Sequence, residues 1–395
     1  MSLTRVRSWL GGAAEPAPDA IAAAHAAGRQ AGLTEAALAA AAVARQAAED
    51  TAARLAEQAA ALAARHAAEA TQQAAEAAQQ VAEATQQAAE AAGQAAAAGI
   101  AASPFMHYRA MFDPLEVMRR HAVPDPQPTP DIQTNFLGVL VRPAFYPPFL
   151  TQWAGRVEPI PIPSNWHADV AEWGAALRAV DLAPPGRFRM AELGCGWGCW
   201  MNNMGVAARR TGKAPTLIGV EGDDGHLAFA RLALADNGFS PADWTLHRGV
   251  AAAQAGHALF PRQAQAGGSW ALQPIFGATE AERAQAVAQG SHDELPMVAL
   301  AEIIGGERLD LLHVDIQGGE AVLLREAQAV LREHVAYVVV GTHSRQIEGA
   351  LMADMLAGGW RLEIDRPAIL TLNAQGPEVW VDGVHGWRNM ALLPD

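Results

Sequence analysis

Met190-Ala191-Glu192-Leu193-Gly194-Cys195-Gly196-Trp197-Gly198 joins an apolar run carrying one acid to three glycines at alternate positions. An apolar run entering a glycine-rich turn predicts a buried parallel strand leading into a helix N-terminus. Glycine there permits positive φ and lets a ligand lie against bare main chain. A second apolar run, Thr216-Leu217-Ile218-Gly219-Val220-Glu221, ends in another acid. A glycine turn followed by an acid at the end of the next strand is how α/β nucleotide sites grip a ribose.

The glycine spacing separates cofactor classes. A dinucleotide fingerprint would place its third glycine at position 199, where this chain has Cys199. A nicotinamide oxidoreductase is therefore disfavoured. The pattern E-x-G-x-G-x-G is similar to that of S-adenosylmethionine (SAM) methyltransferases. Glu192, Gly194, Gly196, Gly198 and Glu221 are the expected cofactor-binding residues. Gly249 and Val250, after a third strand at Trp244 to Val250, are candidates for the adenine wall.

Acids outnumber bases, 42 to 28, for a net charge of −14 in 395 residues. That balance argues against a nucleic-acid or anionic-membrane partner. No run has the roughly 18 uninterrupted apolar residues of a membrane span. The N-terminal segment carries Arg5 and Arg7 without a following leucine-rich stretch, so no signal peptide is expected. Cys195 and Cys199 are two lone thiols, too few for a zinc site, and read as small turn and helix residues in a reducing, cytoplasmic setting.

Residues 1–100 read as an Ala/Gln-rich helical arm. From Ala64 it carries a seven-residue repeat (ARHAAEA, TQQAAEA, AQQVAEA, TQQAAEA, AGQAAAA) whose apolar face is mostly alanine. Such a seam suits close-packed helices, a tether, or a homo-oligomer formed through the arm. Residues 101–165, with Pro124, Pro126, Pro128 and Pro130, read as a linker and cap in which Phe136 to Val141 forms a strand. Residues 166–395 alternate strands and helices in the doubly wound manner, closed by antiparallel strands at Trp360 to Ile364 and Trp387 to Leu393. Ala251 to Glu294 reads as a loop or short helices near the site, and Leu295 to Ile304 as helix.

Ligands of an open α/β sheet bind beyond the carboxyl ends of the strands. Two more such ends carry polar groups: His313-Val314-Asp315-Ile316-Gln317 and Gly341-Thr342-His343-Ser344. Asp315 could bind a substrate hydroxyl, an ammonium or a divalent cation such as Mg²⁺, or simply cap the following helix. His343 has the chemistry of a general base, with Glu348 to orient it. His313, deeper in its strand, would be structural or would orient Asp315. Trp197, Trp270 and Trp387 could stack on a ring, although isolated tryptophans usually pack in cores.

Residues 166–395 resemble the FkbM-type SAM-dependent methyltransferases. Glu192-Leu193-Gly194-Cys195-Gly196-Trp197-Gly198 carries the likeness, with Val298-Ala299-Leu300 leading into Leu309-Asp310-Leu311-Leu312-His313-Val314-Asp315-Ile316-Gln317-Gly318-Gly319-Glu320. The last run is similar to the family's D-h-h-K-h-D-h-E-G-x-E, with His313 in place of lysine and Gln317 in place of glutamate. The resemblance implies a class I, Rossmann-like methyltransferase fold, SAM as methyl donor, and methylation of oxygen on a sugar, glycan or natural product. His343 is the expected base, with Asp315 and His313 as its catalytic companions. The other reading is a non-catalytic SAM-binding scaffold that works through its helical arm.

Overall fold

The computed structural model describes residues 103–395, except 147 and 266, together with Gln46, Gln72 and Gln79. Those three glutamines are helical and exposed; the rest of the predicted arm and its heptads lies outside the described residues.

The segment expected to be linker and cap holds β1 (Arg109–Ala110), helix α1 (Pro114–His121), β2 (Gln133–Thr134) and β3 (Leu140–Val141). The strand predicted over Phe136 to Val141 is confined to β3, which pairs only with β2. The central elements are helix α2 (Val170–Leu182), β4 (Arg187–Leu193), α3 (Cys199–Arg210), β5 (Ala214–Glu221), α4 (Asp224–Asp236) and β6 (Trp244–Arg248). An insertion follows: β7 (Val250–Ala252), β8 (Gly256–Pro261), α5 (Glu280–Ala288) and β9 (His292–Ala299). The chain then runs through α6 (Leu300–Ile304), β10 (Leu311–Val314), α7 (Glu320–Glu326), α8 (Gln328–His334), β11 (Tyr337–Thr342), α9 (Arg345–Ala357) and β12 (Trp360–Arg366). It ends in a hairpin, β13 (Ile369–Asn373) with β14 (Gly376–Val381), and in β15 (Gly383–Asn389).

Eight strands form one sheet in the order β1-β12-β15-β11-β10-β4-β5-β6. The run from β11 to β6 is parallel, and β15 enters antiparallel between β11 and β12. Side chains alternate across each strand, and the core divides accordingly. Met190, Leu217, Leu311 and Val339 pack with α2 and α3, whereas Ala191, Ile218, Leu312 and Val338 pack with α6 to α9. Both faces are covered, which is why these strands read as unbroken apolar runs.

Three expectations are corrected. The supposed linker belongs to the domain: β1 pairs with β12, and Val117, Met118, Phe136 and Leu137 are in the core. The excursion after β6 is a small sheet in the order β7-β9-β8, so the helix expected from Leu295 begins only at Leu300. The final strand ends at Asn389, earlier than expected. Because the described domain has its own core, a chain beginning at residue 101 is expected to keep the full-length protein's cooperative urea transition. A broadened, non-cooperative transition would show that the arm supplies core.

Candidate active site

The glycine turn after β4 is shaped by contacts on all sides. Gly194, Gly196 and Gly198 all have positive φ, at 75°, 50° and 75°. A β-carbon on Gly194 would lie 2.0 Å from the Asp315 carbonyl oxygen, and one on Gly196 would lie 2.9 Å from the Trp270 ring. Bare backbone here leaves open a cavity at the carboxyl ends of β4, β5 and β10, with Glu192, Gly194, Gly196, Glu221, Gly249 and Val250 in its lining. Trp270 also lines it, its ring 4.4 Å from that of His226. Trp197 and Trp387 are core residues.

The two acids of the motif differ in role. Glu192 is buried and accepts from Trp200 N at 3.2 Å and Met201 N at 2.8 Å, so it caps α3 from the preceding strand. Burial pushes its carboxyl well above the usual carboxylate range. Glu221 accepts from Gly196 N (2.9 Å), Gly222 N (2.7 Å) and Asp223 N (2.8 Å). A carboxylate has about four lone-pair sites, so Glu221 keeps acceptor capacity toward the cavity. Both cysteines are free and buried, and burial raises their thiols well above the usual range.

A second cavity opens beside the first, lined by His343, Arg366, Trp380 and Asp382 among others. His167 and Asp315 line both cavities and form part of the wall between them. His343 bridges acids: its Nδ1 is 2.6 Å from Glu320 Oε1 and its Nε2 is 3.2 Å from Asp315 Oδ1. Burial opposes the charged imidazole, but the hydrogen bonds to Asp315 and Glu320 outweigh it and raise His343 to about 11. His313 stacks on Trp200, with ring centroids 4.8 Å apart, and its Nε2 is 2.9 Å from Glu172 Oε1. Burial lowers His313 to about 4 and raises Glu172 well above the carboxylate range.

No family model matches the chain. A protein of Jannaschia sp. (strain CCS1) named "Putative methyltransferase" is 44% identical over 264 residues, covering 67% of this chain and 94% of that protein. The chain belongs to this methyltransferase family. Solved structures similar to it include the FkbM methyltransferase from Methylobacillus flagellatus KT, at 14% identity, 55% of this chain, 54% of that one and a TM-score of 0.34. Another is the ribosomal protein L11 methylase from Lactobacillus delbrueckii subsp. bulgaricus, at 13% identity, 60% of this chain, 85% of that one and a TM-score of 0.30.

In this methyltransferase the residues expected from sequence to be catalytic, His343, Asp315 and His313, gather at one rim. His343 Nδ1 is hydrogen-bonded to Glu320 Oε1, and its Nε2 lies 3.2 Å from Asp315 Oδ1. Glu348 does not orient it; Glu348 accepts from Thr342 Oγ1 at 3.2 Å and Ala368 N at 2.5 Å. The orienting acid is Glu320, which is fully buried and also accepts from Gly318 N at 3.0 Å. Gln317 lines the first cavity with a left-handed φ of 58°. Sequence alone does not single out His167, Glu172 and Asp382, which also line the second cavity. They lie outside the glycine and Asp315 motifs, and only tertiary packing brings them to the rim. Among the described residues no helix is long and apolar enough to cross a membrane.

Proposed function

We propose that the methyltransferase binds SAM in the first cavity and methylates a hydroxyl of a sugar, glycan or natural product held in the second. The supporting observation is the pair of cavities meeting at His167 and Asp315. Methyl transfer requires donor and acceptor on either side of one small opening, aligned for in-line attack. Glu221 would hold ribose hydroxyls, the bare backbone of Gly194 and Gly196 would take the methionine and ribose, and Gly249 and Val250 would border adenine. SAM supplies a methyl group activated by its sulfonium; the chain supplies alignment and removal of a proton.

The acceptor side suits a polyhydroxylated ring. Trp380 is 42% exposed and offers an indole face at the second cavity. Asp315 and Asp382, with side chains 45% and 55% exposed, can accept hydroxyl protons. Asp315, Glu320 and His343 place ligand-type atoms within 4.8 Å of one another. Within that group His343 Nδ1 is hydrogen-bonded to Glu320 Oε1 at 2.6 Å.

Glu221→Ala is expected to weaken SAM binding by about 1.5–3 kcal/mol, the scale of hydrogen bonds to a charged group. Calorimetry with SAM and with NAD tests the cofactor: a wild-type chain that binds NAD and ignores SAM sinks the reading. Mass-detected methyl transfer to a panel of glycans and hydroxylated natural products tests the acceptor. Binding of SAM with methylation only of amines or thiols would leave the donor and overturn the acceptor class.

A further inference from the structure

We propose that the acceptor is a hydroxylated ring carrying a protonated amine, stacked on the Trp380 indole with its ammonium on the Asp382 carboxylate. This deepens the reading of the second cavity as the acceptor site and rests on it. Asp315 borders both cavities, whereas Asp382 borders the second and not the first. What Asp382 holds is therefore the acceptor. Both side chains are half-exposed, so both carboxylates are open to a ligand.

The cations of the lining are already engaged. Arg366 is buried and pairs with Asp169, and its guanidinium also donates to Pro367 O at 3.2 Å and to Asp382 O. His343 has its Nδ1 on Glu320 Oε1, and its Nε2 lies 3.2 Å from Asp315 Oδ1 and 3.8 Å from Asp382 Oδ2. One imidazole thus faces three carboxylates, and even when protonated it leaves the group net negative. Glu172 is engaged with His313. Among the described residues that line the cavity there is no lysine and no other arginine, so a phosphate or a uronate would meet repulsion. The His167 wall is stiff and apolar: Asn165 Oδ1 accepts from His167 N at 3.0 Å, and the rings of Trp173, Trp197 and Trp200 pack around the imidazole with centroids 5.5–6.5 Å away. Such a wall screens the carboxylates less than water does. The chain's net charge of −14 draws a cation in the same sense.

The fold presents the indole and the carboxylate together. Trp380 and Asp382 are two residues apart at the end of β14, within about 7 Å along the chain, and both border the cavity. The register of the hairpin slips at this point: Ile369 pairs with Val381 but Leu370 with Val379, so Trp380 is the extra residue of a bulge. Bulges re-aim side chains, and here an exposed indole borders the cavity. The base of the hairpin is fixed. Gly383 pairs with Thr342 at the end of β11, and a β-carbon on it would lie 2.1 Å from Glu348 Oε1. That same oxygen accepts from Ala368 N at 2.5 Å, and Arg366 holds the Asp382 carbonyl. An indole beside a carboxylate suits an ammonium, through cation–π attraction and a charge-assisted hydrogen bond. The carboxylate also keeps the amine protonated and without a lone pair, so a hydroxyl of the same ring remains the nucleophile.

The test uses the full chain and a panel of methyl hexosides, each as free amine, N-acetyl and hydroxyl forms, with methyl uronosides as the anionic set. Calorimetry with S-adenosylhomocysteine present measures binding, and mass detection with SAM measures methyl transfer and its position. The amine forms should bind about 10–100-fold more tightly than their N-acetyl counterparts, the scale of a hydrogen bond between charged groups. Asp382→Asn should remove that preference and leave the neutral forms little changed, and Trp380→Ala should weaken amine and neutral forms alike. Affinity for S-adenosylhomocysteine reports that both variants are folded. An amine preference that survives Asp382→Asn, equal binding of amine and N-acetyl forms, tighter binding of uronosides, or no binding of any amine form overturns the inference. O-methylation of neutral rings alone would do so too, while leaving the two-cavity reading in place. A wild type that ignores S-adenosylhomocysteine, or that methylates only the amine nitrogen, overturns that reading instead.

Discussion

Gly194→Ala is expected to destabilise the domain by about 2–5 kcal/mol and to abolish measurable binding of S-adenosylhomocysteine. The left-handed backbone at φ 75° costs a side-chain-bearing residue about 1–2 kcal/mol. The added methyl would sit 2.0 Å from the Asp315 carbonyl oxygen, and relieving that clash by a backbone shift costs about 1–3 kcal/mol more. The loop cannot simply step aside, because Gly194 N and Cys195 N both donate to Val220 O at 3.0 Å. Asp315 must therefore move, and with it the wall between the cavities. Urea unfolding and calorimetry measure the two effects. Wild-type stability with wild-type affinity would mean that the turn is pliable and the close approach unimportant.

His343→Ala is expected to cost about 3–5 kcal/mol near pH 6, because it leaves the fully buried Glu320 carboxylate without its cation. The folded group, at about 11, lies above its ordinary 6.5. Its contribution is therefore complete below about pH 6.5, declines above that, and is gone once the pH passes about 11. The gap between wild type and variant should shrink by more than half by about pH 9.5. A gap independent of pH would mean that His343 contributes by packing alone. Adding Glu320→Gln to His343→Ala should recover part of the loss, since no charge is then stranded.

Where function depended on neighbours in sequence, the residues were readable. The glycine turn, Glu221 and the position of Asp315 beyond β10 follow from apolar runs and spacing, because a parallel sheet buried on both faces writes itself as contiguous apolar residues. The hairpin of β13 and β14 left no such trace: it pairs only with itself and leaves Leu372 79% exposed. In the insertion Leu295, Val298, Leu300, Ile303 and Ile304 imitate a helical stripe, although the first two lie in β9. Histidine chemistry was the least legible. His343 met Glu320 rather than Glu348 because β10 and β11 run side by side, and no local pattern announces that a helix after one strand will reach the rim of the other. His167 sits before the first predicted strand, and its place in the wall is set by three tryptophans and by Asn165.

A wall shared by two cavities makes their occupants thermodynamically interdependent. Asp315 and His167 present atoms to both sides, so a ligand on one side alters the field and the shape met by a ligand on the other. Whatever factor the first changes in the affinity of the second, the second must return to the first. With SAM in the first cavity as proposed, loss of its positive charge during turnover would also change the hold of Asp315 on the other side. On the proposed reading of the two cavities, release of the two products is thereby coupled to the chemistry that made them.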